Sequence, residues 1–168
     1  MKDIPWAENL EQTLATMQKH GLLLVSCDAE GRPNVMTIGW ATFGIVWGRP
    51  VMVTLVRPSR FTFGNLEAVG EFVVAVPSEQ MHEACMLCGT RSGRDTDKFA
   101  EAGLTPVPAR HVRPPLIAQC VRHYECRVLH RNDIVDAALA PEVRTEAYPQ
   151  GDLHRLYYGQ ILRACERA

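Results

Sequence analysis

The chain has 168 residues, with 18 Lys and Arg against 19 Asp and Glu, a formal net charge of −1. Hydrophobic residues make up 46% of it, enough for one domain to bury a core without metal or disulfide staples. The near-zero charge argues against a broad nucleic-acid footprint or an anionic-membrane surface, so any anion site must be local. The opening MKDIPWAENL lacks the apolar stretch of a secretion signal, and no apolar run approaches the ~20 residues that span a bilayer. The expectation is one domain over residues 1–168, cytoplasmic, with neither a nucleic-acid nor a membrane partner. Cys27, Cys85, Cys88, Cys120, Cys126 and Cys165 lie mostly in apolar segments and read as reduced thiols rather than a disulfide framework.

In chain order, LEQTLATMQKH (10–20) places Leu10, Leu14 and Met17 on one helical face, with Gly21 as its C-cap. LLLVSCD (22–28) is a short apolar strand, and AEGRP (29–33) a turn. NVMTIGWATFGIVW (34–47) is strand-like, with Gly39 and Gly44 marking bends or a close approach. After a turn at 48–50, VMVTLVR (51–57) is a further strand. PSRFTFGNLEAVG (58–70) predicts a helix capped by Ser59 and ended by Gly70. EFVVAVP (71–77) is a strand stopped by Pro77, and SEQMHEACMLCG (78–89) a helix between Ser78 and Gly89. A short helix over 96–103 has Asp95 as its cap, and a proline-rich connector covers 104–115. Residues 115–130 read as a long strand or hairpin arm and 152–165 as the closing strand. Between them, 132–152 is broken by Pro141, Pro149 and Gly151, although IVDAALA has helical character. Strands dominate and long helices do not alternate with them, so a doubly wound sheet is disfavoured. The fold expected is mainly β with short helices, a small antiparallel barrel.

Three stretches point to a ligand. CGTRSGRDTDKF (88–99) combines glycines that free backbone N–H groups with Arg91, Arg94 and Lys98, a composition suited to an anion. It lacks the P-loop spacing, and a solvated turn pairing with Asp95 and Asp97 is the plain alternative. VRPSRFTFGN (56–65) sets Ser59, Arg60 and Thr62 at a helix start, a phosphate-friendly corner or simply a cap with a surface arginine. In NVMTIGW (34–40), Asn34, Met36, Ile38 and Trp40 face one way and Val35, Thr37 and Gly39 the other. Such a strip suits a flat aromatic ligand as well as core packing. Together they suggest a nucleotide-like ligand, and no G-x-G-x-x-G supports a Rossmann site.

These motifs, in this order, resemble the flavin reductase-like family of flavoredoxin-type, FMN-binding split barrels. NVMTIGWATFG, R-P-S-R-x-T, GEFVVAVP and C-G-T-x-S-G-R-D-x-D-K-F-x-x-x-G-L-T carry the resemblance. LHRLYYGQIL resembles the family's closing strand, often H-x-x-x-x-G-x-V, so the likeness runs from about Leu22 to Leu162. It implies an antiparallel, Greek-key-like split β-barrel, homodimeric, with FMN at the subunit interface. The implied activity is that of an oxidoreductase passing electrons between NAD(P)H, flavin and a small-molecule or protein acceptor. By position, Met36, Thr37, Ile38, Gly39 and Trp40 would lie along the isoalloxazine and ribityl chain. Ser59, Arg60 and Thr62 would hold the phosphate with Arg57 nearby, and Ser92, Gly93 and Lys98 would complete the site. The chain departs from the pattern at 132–151, which reads as an insertion before the last strand, and at Gln160, where the family often has Glu.

In a flavin enzyme the cofactor performs the redox chemistry, so no nucleophile or triad is expected. His154 aligns with a family histidine and suits either the open flavin face or a structural role. Cys85 and Cys88 lie one helical turn apart and read as buried apolar groups, because a zinc site needs about four ligands and no second C-x-x-C is present. The basic run Arg110–Arg131 reads as a solvated strand rather than a site for an NADPH 2′-phosphate or nucleic acid. The rival readings are a flavin-binding electron carrier or sensor with little NAD(P)H turnover, a split barrel holding another ligand such as haem, and a cofactor-free dimer. No axial haem ligand stands out, and the paired Ser59–Thr62 and Ser92–Lys98 motifs argue against a lapsed site.

Overall fold

The computed structural model describes residues 1–167. Strand β1 (Lys2–Ile4) and helix α1 (Leu10–His20) precede four strands: β2 (Leu22–Cys27), β3 (Pro33–Ile38), β4 (Ala41–Val46) and β5 (Arg49–Val56). Next come α2 (Phe61–Val69), β6 (Glu71–Val76), a 3-10 turn (Glu79–Met81) running into α3 (His82–Thr90), and α4 (Lys98–Glu101). β7 (Pro106–Val107) and β8 (Leu116–Ile117) form a separate two-stranded ribbon. The long strands β9 (Arg122–Asp133) and β10 (Arg155–Glu166) flank a 3-10 turn (Asp136–Ala138) and α5 (Pro141–Ala147).

The main sheet runs β3-β2-β6-β9-β10-β5-β4, with β1 added against β10. All of its pairings are antiparallel, as expected of the mainly-β class. β10 is long enough to change neighbours: residues 155–160 pair with β5, and 164–166 pair with β1. The outer strands β3 and β4 make no ladder with each other, so the barrel remains split.

Alternation along the strands divides the apolar residues between two cores. Leu22, Leu24, Phe72, Val74, Val76, Tyr124 and Ile161 fill one face of the sheet. Leu23, Val25, Val35, Val73 and Ala75 face the other, where α3, α4 and the β8 region cover them with Cys85, Cys88, Phe99, Leu116 and Ile117. β2 and β6 are thus buried on both sides, which explains why both read as continuous apolar runs rather than alternating ones.

Several local expectations change. In α1 the buried residue is Thr13, not Leu14, which is 37% exposed. Thr13 is drawn inward because its hydroxyl meets the Tyr124 hydroxyl and accepts from Arg122. The strand-like stretch 34–47 is two strands broken at Gly39–Trp40. Ser59 and Ser78 make no cap hydrogen bonds, α3 runs on through Gly89 to Thr90, and α4 is capped by Asp97 rather than Asp95. Pro141 opens α5 at a position where its missing N–H costs nothing. The basic run is neutralised in place: Arg110, Arg122, Arg127 and Arg131 meet Asp3, Glu166, Glu71 and Glu67.

One charge is fully enclosed. Glu125 has 0% exposure, accepts from the Arg163 guanidinium at 2.7 Å and from the backbone N–H groups of Arg110 and His111. It thereby pins the proline-rich connector to the barrel. Glu125→Ala would leave Arg163 buried without its inner partner, and the expected loss is about 3–5 kcal/mol in urea unfolding. A Glu125→Leu/Arg163→Met double variant is expected to recover most of that loss.

Candidate functional site

A cavity of about 310 Å³ opens where several chain segments meet. The end of β3 and the link to β4 contribute Met36, Thr37, Ile38, Gly39 and Trp40, and the end of β5 contributes Leu55 and Arg57. Ser59, Arg60 and Phe61 come from the approach to α2, the stretch Cys88–Arg94 from the end of α3 and the following loop, Lys98 from α4, and His154 from just before β10. Antiparallel pairing explains the convergence: Arg155 sits opposite Val56, so the exit of β5 and the entry of β10 are neighbours.

The strip at the end of β3 keeps its alternation. Ile38 and Met36 pack toward the first core and Val35 toward the second. Thr37 donates to the Cys85 carbonyl at 2.6 Å, tying β3 to α3. Trp40 lies beyond the strand, 46% exposed at the cavity's edge. The loop must come close to this strip, and Gly93 permits it, since a Cβ there would overlap the Asn34 side-chain oxygen and the Phe61 ring.

Five cations, Arg57, Arg60, Arg91, Arg94 and Lys98, line the cavity, and among the described residues no carboxylate does. Lys98 is 5% exposed and donates to the carbonyls of Cys88 and Arg91 at 3.1 and 3.3 Å. An ammonium has three donors, so one remains for the cavity. Burial lowers the Lys98 pKa from the ordinary lysine value. α2 begins without a side-chain cap, leaving its first N–H groups and positive dipole end available to an anion.

All the residues expected in the site line this cavity except Thr62, which is a correction. Thr62 is 2% exposed, and its hydroxyl accepts from the Asn34 amide at 2.8 Å. It braces α2 against β3 instead of facing the cavity, because the first turn of α2 rotates it inward. The Ser59 hydroxyl donates to Asp152 at 2.5 Å, and Arg94 donates to the Ser59 carbonyl at 3.0 Å. Leu55, Phe61, Thr90, Arg91 and Arg94 also line the wall. The two arginines were visible as charge in the loop motif, but nothing in the sequence separated wall from solvent there.

Residues 132–151 bear on the site directly. Arg57 donates to the Ala147 carbonyl at 3.0 Å, and its guanidinium lies 5.3 Å from the centre of the Tyr148 ring. The Tyr148 hydroxyl and His154 Nδ1 are 2.8 Å apart, and Trp40 packs 5.0 Å from His154 and 6.2 Å from Tyr148. Cys85 and Cys88, 2% and 1% exposed, lie in the second core, and burial pushes both thiols up to about 11.

The chain matches the family model described as the flavin reductase like domain over residues 17–167. It belongs to the flavin reductase-like family, as the order of its motifs implied. It is 33% identical over 131 residues to an uncharacterized protein of Archaeoglobus fulgidus, spanning 78% of this chain and 64% of that protein. The solved flavoredoxin of Desulfovibrio vulgaris (Miyazaki F) is 25% identical with a TM-score of 0.69, covering 87% of this chain and 68% of that one. An FMN-binding domain of a flavin reductases-like enzyme from Shewanella baltica OS155 shares the fold at 19% identity and a TM-score of 0.65, covering 98% and 78%.

Two histidines set a pH limit. Burial, with Arg57 and Arg60 adding to it against Asp152, pushes His154 down to about 4. Burial likewise pushes His123 down to about 4. In the unfolded chain both titrate near the ordinary histidine value of about 6.5. As pH falls, the unfolded state therefore binds protons first. The folded state is expected to hold constant stability above that value and to lose it steadily as pH falls toward about 5, before most carboxylates titrate. Urea midpoints measured across this range should show the slope, and His154→Gln should reduce it.

Proposed function

We propose that this chain binds FMN in the cavity and acts as an oxidoreductase of the flavin reductase type, passing electrons between NAD(P)H, flavin and a small-molecule or protein acceptor. The observation that carries this reading is the union, in one cavity, of the apolar 36–40 strip with a cationic corner free of lining carboxylates. FMN has the matching form, a flat ring system with a phosphate at the end of a flexible chain. The cavity volume of about 310 Å³ sits at the lower end of the ~300–1,000 Å³ usual for small-molecule sites.

Met36, Thr37, Ile38, Gly39 and Trp40 would flank the ring, their backbone groups serving its polar edge. Ser59, Arg60, Arg57 and the uncapped start of α2 would take the phosphate, with Ser92, Gly93 and Lys98 closing the corner. Thr62 would act indirectly, by holding Asn34 and the α2 start in place. When bound, FMN supplies two-electron redox chemistry. Trp40 and His154 would keep water from one side of it.

A homodimer with the flavin at the subunit interface is part of the same proposal. Ile45 and Trp47 are each 61% exposed on and just beyond β4, an outer strand, and Trp40 continues the apolar strip to the cavity. The proposed compartment is the cytoplasm, which suits six cysteines that are all free and buried. Among the described residues no helix is long and apolar enough to cross a membrane.

The first measurement is the visible spectrum after addition of FMN and dialysis, with a retained band expected near ~450 nm. NADH or NADPH consumption without added free flavin then distinguishes a reductase from an electron carrier or sensor with little turnover. A Ser59→Ala/Lys98→Ala double variant is expected to weaken FMN roughly ten-fold or more, chiefly through the lost Lys98 ammonium because the Ser59 hydroxyl already donates to Asp152, and riboflavin only slightly. Arg60→Ala leaves the loop anchored by Lys98 intact and should show the same preference. Equal losses for both flavins would overturn the phosphate assignment.

A further inference from the structure

The segment between β9 and β10 places one buried aromatic residue against the cavity wall. Tyr148 follows α5 directly and is 2% exposed. A phenol this enclosed must place its hydrogen on an acceptor. Among the described residues, His154 Nδ1 at 2.8 Å is the side-chain partner of its hydroxyl. In the opposite arrangement Nδ1–H would point at the phenol, and the hydroxyl hydrogen would have no acceptor. Nδ1 therefore accepts, and an uncharged ring then carries its hydrogen on Nε2.

The other edge of the ring is free. His154 lines the cavity, its Nε2 makes no hydrogen bond to a described residue, and it is not among the sealed unpaired atoms. Trp40 at 5.0 Å backs one side of the ring. The charged groups around it are Arg57, Arg60 and Asp152. Arg57, held by the Ala147 carbonyl and stacked over the Tyr148 ring, keeps the tyrosine from swinging away.

We infer that Tyr148 is a positioning residue: it fixes the N–H of His154 on Nε2, creating a set hydrogen-bond donor on the cavity wall that selects molecules carrying an acceptor oxygen, a carbonyl or nitro group. The selection rests on the flavin reading above, since a bound ring would make the opposite wall of this subsite. The assignment of the hydrogen does not. The segment read as an insertion thus acts through Tyr148 to set the donor on His154, a residue outside it.

The test uses the full chain labelled with 15N-histidine, with the His154 signal assigned through its loss in His154→Gln. Long-range proton–nitrogen correlations are expected to show hydrogen on Nε2 and a hydrogen-bonded, unprotonated Nδ1. Tyr148→Phe keeps the ring against Arg57 and Trp40 and removes only the hydroxyl. It is expected to yield a mixture of tautomers and to raise the His154 titration midpoint. Hydrogen on Nδ1 in the parent protein, or an unchanged tautomer in Tyr148→Phe, would overturn the positioning role. The FMN-loaded protein is then titrated with benzaldehyde and with styrene, which lacks the oxygen. The Nε2–H signal should shift with benzaldehyde alone, and Tyr148→Phe should bind benzaldehyde about five-fold more weakly. Equal responses to the two probes would overturn the selection. If FMN is not retained, the functional reading fails while the tautomer measurement still decides the role of Tyr148.

Discussion

The outer strands β3 and β4 of a seven-strand path are joined by Gly39 and Trp40 alone. Ile38 and Ala41 are only three Cα steps apart, at most about 11 Å, so the two ends of the sheet must be brought together at that point. The sheet curls, leaves a seam between β3 and β4, and encloses the first core. Everything about the site follows from this closure. The end of β3, the start of β4 and the end of β5 come to one place, and α2 and the loop after α3 arrive there as the connections nearest the seam. A longer link would relax the curl and spread those segments apart.

Electrostatics then separates a working surface from a structural one. Along β9 the arginines meet carboxylates on α2, β6 and β10, and the exposed pairs among them add little individual stability. At the cavity the cations are arranged differently. Arg57 and Lys98 are held by backbone carbonyls, which orient a positive charge without neutralising it. A carbonyl-anchored cation remains available to a ligand's anion, whereas a carboxylate-paired one does not. The same residue types thus perform two roles, and their partners distinguish them.

The segment between β9 and β10 braces two of the cavity's lining residues from behind. α5 is short and carries no buried residue of its own, so it contributes little core. Its value lies at its end, where Ala147 holds Arg57 and Tyr148 reaches His154. A segment that packs little against the barrel yet reaches two lining residues can vary in sequence without disturbing the core.

The sequence by itself determined the strand-rich class, the positions of most elements, and the family, because those depend on local patterning and on motifs that are continuous in the chain. The 36–40 strip, the Arg57–Arg60 corner and the Ser92–Lys98 loop were legible for that reason. Tertiary structure decided what local pattern leaves open. Thr62 turns inward because Asn34, distant in sequence, offers its amide, and Ser59 gives its hydroxyl to Asp152 instead of capping α2. Thr13 displaces Leu14 from the α1 interface because Tyr124 and Arg122 lie beneath it. Tyr148 carried no signal at all, since its meaning depends on a histidine six residues on and a tryptophan across the seam. Side-chain direction at the ends of elements is set by partners far along the chain, and periodicity within an element holds no information about them.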